Sequence, residues 1–294
     1  MKNFLLAVAL LFACSASAQV TQSRIVDEGG TGKYKAVMQE DASLVAHTIF
    51  APKNLSKFSA KNPLPIVVWG NGACSNSPWE HYRFLNEIAS HGYLVIATGY
   101  FPKDDTPYQG DMSTTQQQIE SIDWAFAQNN DPKSPYYHKL DIHHVAAAGM
   151  SCGGLQTLYN CEDPRISALM ICNSGLFLDP TIAMPNMPMP HKEKLAKNTV
   201  PVLYILGGPT DIAYENGMDD FHRLTQVPAI AVNYPVGHGG TYREAYGGEF
   251  RIPAVAWLNW QLKADMKASK MFVGSKNQIS QRPDWTIEKN SLVW

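Results

Sequence analysis

The sequence predicts an α/β fold, with a mostly parallel central sheet and helices on both faces. Two observations predict it. Short apolar runs of strand length recur along the chain, separated by segments with helical spacing. Most of these runs are continuously apolar rather than alternating, which marks strands buried on both faces, as in a parallel sheet. A chain that is 45% hydrophobic and 17% charged can bury the core such a fold needs.

The elements follow in order. Residues 43–50 alternate apolar and polar side chains and stop before Pro52, an early strand. Residues 65–69 form a buried strand ended by Gly70. Residues 79–90 have helical spacing, with Tyr82, Leu85, Ile88 and Ala89 on one face, and His91-Gly92 closes that helix. A strand over 93–97 and a helix over 113–128, capped by Ser113, come next. Residues 145–148 are a strand of small residues, and 152–159 a helix. Strands at 169–172, 202–206 and 229–232 and a helix at 250–267 complete the pattern. Residues 176–198 carry Pro180, Met184, Pro185, Met187, Pro188, Met189 and Pro190. They predict either an irregular cap over the sheet or a long surface loop. The tail 272–294, with Trp285 and Trp294, reads as an extension packed on one large domain spanning 19–294, with its core at about 44–267.

The N-terminus has its own signature. Met1-Lys2-Asn3, an apolar run over 4–13 and Ala16-Ser17-Ala18 read as a secretory signal peptide cut after Ala18. The alternative is a lipoprotein anchored at Cys14, for which Phe12 is bulky. The run is shorter than the ~20 residues a membrane span requires. The formal net charge is -2, with no basic stripe visible along the sequence, so nucleic acid and acidic membranes are poor partners. Cys74, Cys152, Cys161 and Cys172 remain after cleavage. They permit two disulfides in three pairings, and no C-x-x-C pair suggests zinc. The sequence leaves the oligomeric state open.

The chemistry falls on loops that follow strands. Gly149-Met150-Ser151-Cys152-Gly153 is G-x-S-x-G, a pattern common by chance in isolation but placed here between a buried strand and a helix. That is where a nucleophile elbow must lie, with small flanking residues and a helix N-terminus facing developing negative charge. A triad then needs an acid and a histidine later in the chain, in that order. Asp211 stands just beyond the 202–206 strand, in Gly207-Gly208-Pro209-Thr210-Asp211, with Asp179, Asp219 and Asp220 as rivals. His238 follows the 229–232 strand, between Gly237 and Gly239-Gly240. His143-His144 lacks a carboxylate spaced for a metal site. An oxyanion hole needs two N–H donors: Cys152, after the nucleophile, and Asn71, or failing it Gly72, after the 65–69 strand. Trp69, Gly72, Trp79, Tyr108, Phe177, Met184, Met187 and Tyr214 are the candidate substrate contacts.

On these residues the chain resembles the α/β-hydrolase superfamily. Within it, the chain is similar to the dienelactone-hydrolase-like esterases and to the group of platelet-activating-factor acetylhydrolases and bacterial polyester hydrolases. The resemblance covers about 44–267. It rests on Gly70-Asn71-Gly72, on Ile88-Ala89-Ser90-His91-Gly92-Tyr93, on the elbow, and on the Gly207–Asp211 and Gly237–Gly240 loops. It implies a carboxylic ester hydrolase with Ser151, Asp211 and His238 as triad and Asn71 and Cys152 as oxyanion donors, needing no metal or organic cofactor. Trp69, before the oxyanion loop, and Cys152, after the nucleophile, depart from the usual residues and put the substrate in doubt, whether a small ester or a polymer. Because the two oxyanion loops must adjoin, Cys74 and Cys152 are placed to form a disulfide; the alternative is a pair of buried thiols. Other triad enzymes, such as a peptidase or an acyltransferase, and a non-catalytic binding protein remain alternatives.

Overall fold

A computed structural model describes residues 19–184 and 187–293. The expected signal peptide and Cys14 lie outside the described residues, as do Pro185 and Trp294. The strands are β1 Val20–Arg24, β2 Ala36–Asp41, β3 His47–Pro52, β4 Leu64–Gly70, β5 Leu94–Thr98, β6 Leu140–Met150, β7 Ile166–Cys172, β8 Val202–Leu206, β9 Ala229–Asn233 and β10 Thr286–Lys289. The helices are α1 Tyr82–Ser90, α2 Thr115–Asn130, α3 Cys152–Tyr159, α4 Tyr214–Arg223 and α5 Arg251–Lys263.

All ten strands form one sheet in the order β1-β2-β3-β5-β4-β6-β7-β8-β9-β10. The six central strands, from β5 to β9, run parallel. β1, β2, β3 and β10 add antiparallel edges. This is the mostly parallel α/β sheet that the apolar runs predict. Side chains alternate between two cores. Ile66 and Val68 face the side covered by α2, α3 and α4, while Val67 and Trp69 face α1 and α5. After β4 the chain turns to one side to form β5 and then crosses to the other to form β6. The loops leaving β4 and β6 therefore meet at a topological switch point, where open α/β sheets form their sites.

Several expected boundaries move, each for a local reason. The strand expected at 43–50 starts at His47, because Asp41 accepts from the Ser43 N–H and Oγ and Ala46 turns at φ 54°. The cap of α2 is Thr114, whose N–H donates to Gln117 Oε1 at 2.7 Å, while Ser113 Oγ bonds the Cys74 carbonyl. α5 stops at Lys263, where Ala264 adopts φ 51°. β6 extends back through His143 and His144, and His144 Nδ1 lies 2.8 Å from Asp141. The tail does more than pack on the sheet: β10 pairs with β9 and extends it. Among the described residues, no helix is long and apolar enough to cross a membrane.

Candidate active site

The geometry starts at the elbow. β6 delivers Ser151 at φ 52° and ψ -117°, and α3 begins at the next residue. The bend is possible only because Gly149, Gly153 and Gly154 around it have no side chains. A Cβ on Gly149 would lie 2.3 Å from the Gly153 carbonyl. One on Gly153 would lie 2.0 Å from the Gly70 carbonyl, and one on Gly154 would lie 2.4 Å from the Ser174 Cβ. The G-x-S-x-G-G spacing is thus a steric requirement of packing β6, α3 and the β4 loop together.

Ser151 Oγ lies 2.9 Å from His238 Nε2, and His238 Nδ1 lies 2.6 Å from Asp211 Oδ1. Three strand-end loops, after β6, β8 and β9, bring these groups together. The rival acids are engaged elsewhere: Asp219 with Arg223 and Lys192, Asp220 with Lys192, and Asp179 with Thr181. Burial pushes the Asp211 carboxyl up. Hydrogen bonds from His238, the Ala213 and Gly207 amides and Asn173 outweigh burial and hold it below its ordinary value. Asp211 is therefore an anion placed to orient the imidazole.

Asn173, which the sequence reading missed, joins this network. Its Nδ2 donates to Asp211 Oδ2 at 2.7 Å and to the Gly237 carbonyl at 3.3 Å, and its Oδ1 accepts from Tyr242 Oη. The available signal was its place, directly after the apolar β7 at the carboxyl edge of the sheet.

The loop after β4, where an oxyanion donor was expected, lies against the elbow. The Asn71 carbonyl accepts from Gly153 N–H at 2.9 Å, and the Asn71 amide nitrogen would stand 2.6 Å from a Cβ on Gly153. The Asn71 side chain is tied back to the Ser75 and Thr98 carbonyls. Cys152 opens α3, so its N–H belongs to the first turn, which has no acceptor within the helix. A disulfide joins Cys74 to Cys152, while Cys161 and Cys172 are buried free thiols. It links the loop carrying Asn71 to the residue that follows Ser151.

A cavity of about 240 Å³ opens beside Ser151 and His238. Leu155, Phe177, Met184 and Ile212 give it an apolar wall, with Asn173 and Asn216 as polar groups. Phe177 and Met184 thus lie where substrate contacts were expected. Trp69 does not. It is fully buried on the α1/α5 side, packed against His81, Phe84 and Tyr242, because its strand position turns it away from the cavity. Burial lowers the His81 pKa to about 3, so this ring is a neutral member of the core. Gly72 faces Met150 rather than open space. Tyr108 donates to Asp111, Tyr214 and Met187 pack with the α2–α4 core, and Trp79 carries the Arg243 guanidinium. None of these five lines the cavity.

A family model described as PET hydrolase-like matches residues 79–282, more than half of the chain. The chain belongs to the PET hydrolase-like family. Membership makes it an α/β-hydrolase of the ester-hydrolysing kind. In this PET hydrolase-like chain the match spans Ser151, Asp211 and His238, while the loop over 70–74 precedes it. No curated protein matches the chain.

Proposed function

We propose that the chain is an exported serine esterase acting through an acyl-enzyme. The observation that carries this reading is the hydrogen-bonded series Ser151–His238–Asp211 beside an apolar cavity. His238 takes the Ser151 proton as Oγ attacks the ester carbonyl. Asp211 orients the ring and stabilises the imidazolium. The Asn71 and Cys152 N–H groups hold the tetrahedral oxyanion. His238 then protonates the leaving alcohol and activates the water that frees Ser151. Each step is carried by protein groups.

The family name supports a polyester or a related ester as substrate. The wall of Leu155, Phe177, Met184 and Ile212 suits an apolar or aromatic acyl group. The signal-like N-terminus, with a disulfide in the folded chain, supports export to an oxidising compartment.

The test is initial rates on p-nitrophenyl esters from acetyl to decanoyl, for the chain from Gln19 and for Ser151→Ala. Saturable turnover that the variant lacks is the expected result. Rates no higher than those of the variant on every ester, with no fluorophosphonate labelling of Ser151, reject the reading.

A further inference from the structure

The pole opposite the triad carries a feature that the linear sequence conceals. Two adjoining cavities, of about 520 and 500 Å³, share Lys33 and Tyr34. The first is framed by Pro63 and Pro65 at the start of β4, Gly92 before β5 and Asp141 at the start of β6. These are the amino ends of the parallel strands, whereas Ser151 follows the carboxyl end of β6. Six lysines line the pair: Lys33, Lys35, Lys53, Lys57, Lys61 and Lys263. Among the described residues none of the six forms an ion pair. The one carboxylate on the lining, Asp141, is engaged by His144.

The lysines come from separate parts of the chain, and the fold concentrates them. The Lys53 N–H donates to the Lys35 carbonyl across the start of the β2–β3 pair. The turn over 55–62 is pinned by the buried Phe58, which packs on Tyr34 at 4.8 Å, and by Asn62 Nδ2 bonding the Lys57 carbonyl. That turn holds Lys57 and Lys61 outward. Lys263 Nζ donates to the His91 carbonyl at 2.7 Å. On a chain of formal net charge -2, the absence of a basic stripe in the sequence does not carry over to the folded surface.

We propose that this groove binds a linear polyanion of the sulfated or carboxylated polysaccharide class, leaving the triad facing away. Charge complementarity and shape select that occupant. Among the described residues, Lys33, Lys53, Lys57 and Lys61 are exposed and outside any ion pair, while Lys35 and Lys263 are tied to the Gly30 and His91 carbonyls and burial lowers the Lys263 pKa to about 8. Exposed ammonium groups on flexible stems suit anionic groups repeated along a chain, and two adjoining concavities suit a strand rather than a flat surface. A membrane surface would call for inserted apolar side chains, and among the described residues none of the large exposed apolar side chains lines either cavity. Nucleic acid would call for stacking platforms. Among the described lining residues, Tyr34 and Phe58 pack on each other, the His91 and His144 rings are held by Glu87 and Asp141, and no arginine is present.

The experiment uses the chain from Gln19 and a heparin octasaccharide, measured by titration at rising salt. Single-stranded DNA and phosphatidylserine vesicles serve as comparators. Lys57→Glu/Lys61→Glu reverses two charges on the turn, Lys33→Gln/Lys35→Gln weakens the groove without touching that turn, and Lys103→Glu/Lys197→Glu is a control elsewhere. The expected result is salt-sensitive heparin binding, weakened about tenfold or more by the first pair and measurably by the second. The control pair should retain it, and ester turnover should be unchanged throughout. Absence of binding by the unaltered chain, equal weakening in the control, or tighter binding of DNA or vesicles overturns the proposal. Turnover is a separate readout, so the esterase reading can fail without touching this one.

Discussion

Removing the Cys74–Cys152 bridge as Cys74→Ala/Cys152→Ala should cost both stability and rate. The two cysteines are 78 residues apart in sequence. For a closed loop of that length, the chain-entropy relation gives a loss of about 15 cal/mol/K to the unfolded ensemble, or ~4.5 kcal/mol at 25 °C. Both side chains are buried, so the replacement also removes apolar contacts. The rate term is separate. The bridge ties the Asn71 loop to Cys152, and these segments carry the two proposed oxyanion donors. A shift of about 1 Å between donors can cost ~100-fold, so kcat should fall ~10- to 100-fold with less change in KM. Urea unfolding followed by tryptophan fluorescence, on the unaltered chain with and without reductant and on the double variant, measures the first. Ester kinetics measure the second. A loss below about 1 kcal/mol together with an unchanged kcat would refute the idea that the bridge fixes the loop.

Other consequences follow from the same contacts. Asn173→Ala removes a donor to Asp211 and the Asn173 acceptor of Tyr242 Oη, so kcat should fall ~10-fold or more with KM nearly unchanged; Tyr242→Phe should reproduce part of the loss. Asp211→Asn should lower kcat by ~10⁴, because the imidazole loses its orienting anion, with binding of a non-reacting ester analogue retained as the check. Since the native Asp211 pKa lies below its unfolded value, the stability it contributes is present above about pH 4 and is lost as pH falls through the native pKa. Asp220 has the opposite sign. Burial raises its carboxyl to about 6 against the pull of Lys192, so its contribution is greatest below about pH 4 and declines as pH rises through about 6. Urea midpoints at about pH 5 and pH 8 should therefore differ less in Asp220→Asn than in the unaltered chain. Gly153→Ala forces a Cβ to 2.0 Å from the Gly70 carbonyl, and should lower stability by ~3 kcal/mol or prevent folding, read as Tm and soluble yield.

Most central strands were legible because each is a local apolar run, whereas β6 was legible only over its apolar second half. β8 appears at its expected bounds, and β4, β5, β7 and β9 within two or three residues. The edge strands were not: β1, β2 and β10 are polar or half-exposed and gain their form from a neighbour. α4 escaped notice as well. Gly217 interrupts its apolar spacing, and only packing against Ser174 and Leu206 explains that residue.

By itself the sequence determined what short-range sterics and chain order determine. The strand–turn–helix around Ser151 needs its glycines, and Asp211 and His238 stand at strand ends in the required order. Tertiary structure decided everything that depends on distant parts meeting. A strand buried on both faces does not reveal which way Trp69 points; that depends on which helices cover each side. Asn173 acquires a role only when β7 lies beside β8, and Cys74 finds Cys152 only when the loops after β4 and β6 converge. Six scattered lysines become one groove for the same reason: contacts between residues far apart in sequence are set by strand register and helix packing, which no local window contains.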